Sequence, residues 1–402
     1  MRRNASRSRS AKFHAAVRAA ILVIFVMVAS SGLTAERRLS EGAVESWTGS
    51  SFYKLPDPIP VGSPGRLVRA EKLASAPKGA LAWRILYHST DVHGQNILVS
   101  GVVVAPNAAA PRAGRTIVSW GHPTTGAAQR CAPSVGIDPF DTIEGLRDLL
   151  AAGYVVVATD YSGMGAAGPA SYLVGVTEGN NVLDAVRAAR QLPETHANNH
   201  LVLWGHSQGG QAVLFAGQLA AAYAPELLLK GVAVAAPATD LGALMKSDIG
   251  DVSGVTIASY AFAAYASVYA SMPGANLDSI LTPRGVMETP KMAALCNLGQ
   301  RTELHDLATP LIGRYLTGDP SKVEPWSTLL TENSPGAVQL TVPLFVAQGQ
   351  TDALVRPEVT RQFADRETSL GTSVTFISIP NTGHGLVALR AMPKLMEWLK
   401  QI

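Results

Sequence analysis

Cysteine is scarce in this sequence: Cys131 and Cys296 are the only two among 402 residues. Neither has a second cysteine or a histidine at the spacing that a zinc site needs, so no metal centre is expected at either of them. In an oxidising compartment, one disulfide between them is the simplest pairing, and two free buried thiols are the alternative.

Charged residues are also few, at 16% of the chain, while apolar residues make up 47%. This balance is typical of a compact globular protein and argues against a disordered chain. The formal net charge of +3 comes from residues 1–35, which hold six basic and no acidic residues. Removing those six from the 33 basic residues leaves 27 against 30 acidic residues, a net charge of −3. A nucleic-acid partner is therefore not expected.

The acid-free segment 1–35 has the three parts of an export signal. A basic region is followed by an apolar run from Ala19 to about Ser31, and then by small residues ending at Ala35. The apolar run is short for a bilayer span. We predict that residues 1–35 are a cleaved signal peptide and that the mature protein is secreted or lies in the periplasm or cell envelope. An uncleaved membrane anchor is the alternative.

Strand-like apolar runs alternate with helical patterns along most of the remaining chain. Such alternation predicts an α/β fold in which helices cover both faces of a mostly parallel sheet. The first two runs are separated by a turn and predict a hairpin. The predicted strands are 80–89, 97–104, 116–120, 154–159, 201–204, 231–236, 342–347 and 373–379. The predicted helices are 142–152, 179–192, 211–223, 255–271 and 386–401.

The alternation breaks between residues 241 and 337, where helical patterns follow one another without an evident strand. An insertion between two strands lies at the carboxyl end of the sheet, where ligands bind, so we predict that 241–337 is a helical cap. The core is then divided into 36–240, which starts with an extended arm to about Leu73, and 338–402. The charge-free helix 255–271 belongs to the cap, or is an ordinary core helix.

The predicted strand at 201–204 runs into Gly205-His206-Ser207-Gln208-Gly209, and a predicted helix follows. This is the strand–turn–helix pattern of a nucleophile elbow, which exposes a serine hydroxyl above the sheet. Side chains at Gly205 or Gly209 would collide with the neighbouring strand and helix. The N–H of Gln208 would lie at a helix N-terminus, where it can bind a developing oxyanion. The motif also arises by chance, in which case Ser207 is a buried serine in a glycine-rich loop.

A serine nucleophile needs a histidine base and a carboxylate that orients it. Asp352 and His384 each follow a late predicted strand, and the ends of parallel strands meet at one edge of a sheet. Their order after Ser207 is the one used by α/β-hydrolases. Asp240, at the end of an earlier strand, is the rival carboxylate. Alternatively, Asp352 caps the next helix and His384 is a packed loop residue.

The second oxyanion donor is expected in the loop that follows strand 116–120. Thr125 fits, through its backbone N–H and also its hydroxyl. The alternative is a simple turn held by Pro123.

Seven short segments spread along the chain are typical of one known family. They are Ser51-Phe52-Tyr53, Pro64-Gly65, Leu67-Val68-Arg69, Thr124-Thr125-Gly126, Cys131-Ala132-Pro133-Ser134, Asp160-Tyr161-Ser162-Gly163-Met164-Gly165 and Gly205-His206-Ser207-Gln208-Gly209-Gly210. With these segments the chain resembles the secretory lipase family of the α/β-hydrolase superfamily. The resemblance covers nearly the whole mature chain and implies an α/β-hydrolase fold, hydrolysis of carboxylic esters, often acylglycerols, and an acyl tunnel under a helical cap.

The sequence therefore predicts an exported serine esterase or lipase that acts on a small-molecule or lipid ester, with a transient lipid interface. Ser207 is the expected nucleophile, His384 the base and Asp352 its partner, and no metal or organic cofactor is required. A peptidase or an acyltransferase could use the same three residues. A non-catalytic envelope protein that binds a ligand on the same fold is the alternative from another class.

Overall fold

A nine-stranded sheet runs through residues 51–402, the part of the chain that the computed structural model describes. The predicted signal 1–35 and the first part of the predicted arm lie outside the described residues. The strands are β1 (Leu67–Lys72), β2 (Ala80–Thr90), β3 (Asn96–Pro106), β4 (Arg115–Gly121), β5 (Val155–Thr159), β6 (Ala197–His206), β7 (Leu228–Ala235), β8 (Leu344–Gly349) and β9 (Val374–Ile379).

The strand order is β1-β2-β3-β5-β4-β6-β7-β8-β9. Six strands that are consecutive in this order, β5, β4, β6, β7, β8 and β9, pair in parallel. Strands β1, β2 and β3 extend the sheet in antiparallel fashion. The predicted hairpin is confirmed as β2 and β3, and the mostly parallel sheet is confirmed as well. Every residue of the central strand β5 is buried, as expected for a strand covered on both faces.

Helices cover both faces of the sheet. One face packs on α2 (Gly175–Ala189), α3 (Gln208–Tyr223) and α9 (Pro357–Ser369), and the other on α1 (Leu146–Ala151) and α10 (Val387–Leu399). Most strand residues in both interfaces are aliphatic, in keeping with the near-continuous apolar runs that predicted the strands.

Five helices lie between β7 and β8, within the predicted cap. They bury an apolar core of their own, which includes Tyr260, Phe262 and Trp326. The charge-free helix predicted at 255–271 corresponds to α5, which is the central helix of this core. None of the helices in residues 51–402 is both long and apolar enough to cross a membrane. The helices are α4 (Leu241–Asp248), α5 (Val252–Val268), α6 (Pro283–Ala293), α7 (Arg301–Ala308) and α8 (Trp326–Glu332).

Several predicted elements have other bounds in the structure, and three of these differences have a physical reason. The arm is not wholly extended over the surface, because β1 pairs with β2 at the sheet edge. Helix α1 begins only at Leu146, after Gly145 adopts a left-handed conformation (φ 85°). Helix α2 begins at Gly175 rather than Gly179. Both glycines lie against α3, and a Cβ on Gly179 would be 2.9 Å from the backbone nitrogen of Ala216.

The disulfide between Cys131 and Cys296 is present, so the predicted pairing is confirmed. Cys131 ends a short 3-10 helix in the segment that follows β4, and Cys296 follows α6. Their Cα atoms are 5.2 Å apart although 165 residues separate them in sequence. The bond therefore ties the helices between β7 and β8 to the loop after β4.

Candidate active site

Ser207 occupies a sharp turn between β6 and α3. Its backbone has φ 57° and ψ −118°, a conformation that a residue with a side chain rarely adopts. The turn brings two glycines against their neighbours. A Cβ on Gly209 would lie 1.9 Å from the carbonyl oxygen of Gly121, and one on Gly205 would lie 2.2 Å from that of Gly209. The predicted elbow is therefore present, and its glycines are needed for close backbone approach.

His384 and Asp352 meet Ser207 at the carboxyl edge of the sheet. Asp352 follows β8 and His384 follows β9, while Ser207 follows β6. The Ser207 hydroxyl donates to His384 Nε2 at 2.9 Å, and His384 Nδ1 donates to Asp352 Oδ2 at 2.8 Å. This arrangement gives the hydroxyl a proton acceptor and fixes the tautomer of the imidazole.

Asp352 also accepts hydrogen bonds from the backbone N–H groups of Leu354 and Val355, both at 2.9 Å. Its other oxygen is shared between His384 and Gln348 Nε2, at 3.3 Å from the latter. The capping alternative for Asp352 is wrong, because Arg356 is the N-cap of the next helix, α9, and the two N–H groups that Asp352 binds lie in the loop before that helix. One carboxylate oxygen holds the loop while the other orients the histidine, and the side chain is buried (4% exposed).

Asp240 lies elsewhere. It is exposed and serves as the N-cap of α4, with its carboxylate accepting from the Ala243 N–H at 2.8 Å. Such a side chain satisfies a free N–H at a helix start. The geometry therefore favours Asp352 over Asp240 as the partner of His384.

His206 directly precedes Ser207 in sequence and lies beside His384 in space. Its ring packs on that of His384 with centroids 5.0 Å apart, and its Nδ1 lies 2.9 Å from Glu144 Oε2. Glu144 comes from the segment before α1 and was not anticipated. The pair Glu144–His206 thus supports the face of the His384 ring.

Gln208 is the first residue of α3, so its N–H is one of those left free at a helix start. Thr125, in the loop after β4, donates its hydroxyl to the carbonyl of Cys131 (2.8 Å), so that only its N–H would be left for an oxyanion. Thr124 lines the cavity next to Ser207. The assignment of Thr125 therefore stays a prediction, with Thr124 as its neighbour in the same loop.

An apolar cavity extends from Ser207 and Gln208 into the helices between β7 and β8. One carboxyl group, that of Asp248, lies among its lining residues and is 6% exposed. Burial raises the pKa of Asp248 to about 6, and nearby Asp251 adds to the effect while Arg356 opposes it. No sequence pattern pointed to this residue. The apolar lining includes Leu241, Leu244, Met245, Ile249, Ile257 and Ala261.

Across residues 51–402, no three His, Cys, Asp or Glu side chains are grouped in a way that could hold a metal ion.

A mostly parallel sheet flanked by helices, with a serine at a strained strand–helix turn, defines an α/β-hydrolase fold. Within that class, the family model of secretory lipases matches residues 141–401, so the chain belongs to the secretory lipase family.

The chain is similar to Lipase A of Moesziomyces aphidis, with 28% identity over 51% of this chain and 46% of that protein. It therefore matches about half the length of this relative. A Mycobacterium tuberculosis protein named a probable inactive lipase is 23% identical over 87% of this chain and 80% of its own. The solved structure of Candida antarctica lipase A in its closed state has a TM-score of 0.71 and 19% identity, and covers 89% of this chain and 86% of that one.

Proposed function

We propose that this chain is an exported serine hydrolase that cleaves carboxylic esters of lipids or small molecules. The observation that carries the proposal is the relay of Ser207, His384 and Asp352, joined by hydrogen bonds of 2.9 and 2.8 Å at one edge of the sheet. Membership of the secretory lipase family supports both the ester substrate and the export. The predicted signal 1–35 would direct that export.

The first half of the reaction is acylation. Ser207 Oγ attacks the ester carbonyl while its proton passes to His384 Nε2, and Asp352 stabilises the resulting imidazolium. The carbonyl oxygen becomes an oxyanion and is bound by the N–H of Gln208 and by an N–H of the Thr124–Thr125 pair. The tetrahedral intermediate collapses, the C–O bond breaks, and His384 returns the proton to the departing alcohol.

The second half is deacylation. Water loses a proton to His384 Nε2 and attacks the acyl group on Ser207. A second tetrahedral intermediate forms at the same oxyanion site, and its collapse releases the carboxylic acid and restores the serine hydroxyl. The apolar cavity that begins at Ser207 would hold the acyl chain through both halves.

An ester series tests the proposal. Purified protein is given p-nitrophenyl esters from acetyl to palmitoyl, beside a peptide substrate of similar size. We expect hydrolysis of at least part of the ester series and none of the peptide. Cleavage of the peptide alone would indicate a peptidase, and inertness of folded protein toward both would favour the non-catalytic ligand-binding alternative, a possibility that the name of the mycobacterial relative raises.

Removing the carboxyl group of Asp248 should shift the preference toward longer acyl chains. Near pH 8 this group is ionised, because that pH lies above its pKa of about 6, and a charged oxygen is a poor neighbour for a hydrocarbon chain. We expect Asp248→Asn to raise kcat/KM for octanoyl relative to acetyl ester by about fivefold. Asp306→Asn, at an exposed position of α7, is the control. An unchanged preference for acyl-chain length would show that the acyl chain does not pass Asp248.

A further inference from the structure

A fully buried carboxyl group, that of Glu178 in the first turn of α2, lies against the elbow and has no role in the steps above. Its Oε1 accepts hydrogen bonds from Gln208 Nε2 at 2.7 Å and from the Leu173 N–H at 3.1 Å. Glu178 therefore holds the side chain of the residue that directly follows the nucleophile.

Each member of the Glu178–Gln208 pair has one unsatisfied oxygen. Among the residues that the structure describes, neither Glu178 Oε2 nor Gln208 Oε1 has a hydrogen-bond partner. If the carboxyl is ionised, both atoms are acceptors and neither can satisfy the other. A proton on Glu178 Oε2 turns that oxygen into a donor, and the amide oxygen of Gln208, Oε1, is then the free acceptor for it. A charged oxygen buried without any donor would be the more costly state.

The surroundings of Glu178 also disfavour a charge. Burial raises its pKa to about 8, and the hydrogen bonds from Gln208 and Leu173 offset only part of that rise. The titratable groups that face it from the neighbouring segments are the hydroxyls of Tyr161, Tyr172 and Tyr265, whose own pKa values burial raises. The N-termini of α2 and α3 favour the anion by up to about one and a half pKa units, which is less than the effect of burial.

The second donor to Glu178 is itself held by the helices between β7 and β8. The carbonyl of Leu173 accepts from the Tyr265 hydroxyl of α5 at 2.9 Å and from Gln211 Nε2 at 3.0 Å. The carboxyl group is thus held by Gln208 of α3 and by the N–H of Leu173, a residue that α5 and Gln211 in turn hold in place. Little freedom remains for Gln208 as long as its amide stays paired.

We propose that Glu178 is a positioning residue that acts as a neutral acid: it clamps the Gln208 amide and keeps negative charge away from the oxyanion site. The inference rests on the proposed serine-hydrolase function. Gln208 supplies the expected N–H at the start of α3, so fixing its side chain fixes the turn that aims this donor. An ionised Glu178 would lose the Oε2–H donor that the Gln208 amide oxygen needs, and its charge would repel the developing oxyanion.

The pH profile of kcat tests this role, with the rate of Ser207→Ala subtracted as the background. For the wild type, kcat should fall roughly tenfold between about pH 7 and about pH 9.5 as Glu178 loses its proton, with little change in KM. Glu178→Gln stays neutral and can still donate and accept. It should lower kcat by only about threefold near pH 7 and then show no alkaline fall.

Two further variants separate positioning from simple stability. Glu178→Ala leaves the Gln208 amide unpaired, and we expect it to lower kcat by about tenfold or more near pH 7. Asp184→Asn removes another buried carboxyl of α2, one that bonds to Ser89, Tyr223 and Arg187 and does not touch the elbow. It should keep the alkaline fall of the wild type. An alkaline fall in Glu178→Gln equal to that of the wild type would overturn the proposal.

Infrared difference spectroscopy reports the protonation state of Glu178 independently of enzyme activity. The wild type minus Glu178→Gln spectrum near pH 7 should contain a carbonyl band of a protonated carboxylic acid that disappears at high pH. A carboxylate band near pH 7 would overturn the inference even in an active enzyme. If instead the protein hydrolyses no ester, the proposed function fails, and the infrared band still reports the state of Glu178.

Discussion

Ser207→Ala is expected to lower kcat for ester hydrolysis by about a million-fold, to near the background rate. In the relay of Ser207, His384 and Asp352, only the hydroxyl oxygen of Ser207 forms a bond to substrate. Alanine leaves His384 with no alcohol to deprotonate. Residual rate would come from the oxyanion site and from substrate binding. The measurement is steady-state hydrolysis of the best ester, together with labelling of the protein by a fluorophosphonate probe.

A matched control is available in the neighbouring strand. Ser119 is a fully buried serine of β4 that donates to the carbonyl of Val182, within the sheet rather than at its edge. Ser119→Ala should retain both hydrolysis and labelling, whereas Ser207→Ala should lose both and still bind substrate. Labelling that survives in Ser207→Ala would place the nucleophile elsewhere and contradict the proposed function.

The sheet could be predicted because its central strands are buried on both faces and so consist of continuous apolar residues. The edge strand β1 was missed for the opposite reason. Its sequence, Leu67–Lys72, is half polar and exposed toward one end, and its pairing with β2 depends on tertiary contact rather than on local pattern. The start of α2 was missed because Gly175 lowers helix propensity, although this glycine, like Gly179, serves the close packing of α2 on α3.

The proposed catalytic residues could be found because their positions follow from topology. A parallel sheet gathers the ends of its strands, so a serine, an aspartate and a histidine that follow three strands meet without any local signal linking them. The residues that support them do not follow parallel strands in this way, and no sequence pattern points to them. His206 and Glu144 are 62 residues apart, and Gln208 and Glu178 are 30 apart. Their contacts depend on how α1 and α2 pack against the elbow, which a single sequence does not reveal.

The lining of the cavity also depends on tertiary packing that the sequence pattern does not reveal. Its apolar lining agrees with an acyl site beneath a helical cap, and we propose segment 241–337 as that cap. Asp248, the last residue of α4, also lines the cavity. Periodicity along α4 does not predict this, since six of its eight residues are only partly buried or exposed.

Asp352→Asn should lower kcat by about ten-thousand-fold while the protein stays folded. The asparagine can present its NH₂ to His384 and so favour the tautomer with the proton on Nε2, which cannot accept the proton of Ser207. It also removes the charge that stabilises the imidazolium. The loss should appear in kcat rather than KM, because the interaction matters when the proton moves.

Asp240→Asn is the matched comparison, since it makes the same change at the rival carboxylate. Asparagine is as good an N-cap as aspartate, so α4 should keep its start and kcat should stay within about twofold of the wild type. Rates are measured near pH 8, with thermal unfolding of both variants to confirm that each is folded. A large loss in Asp240→Asn combined with an active Asp352→Asn would reassign the acid and require a structure in which His384 turns toward α4. The 2.8 Å contact of His384 with Asp352 and the helix cap made by Asp240 favour the first outcome.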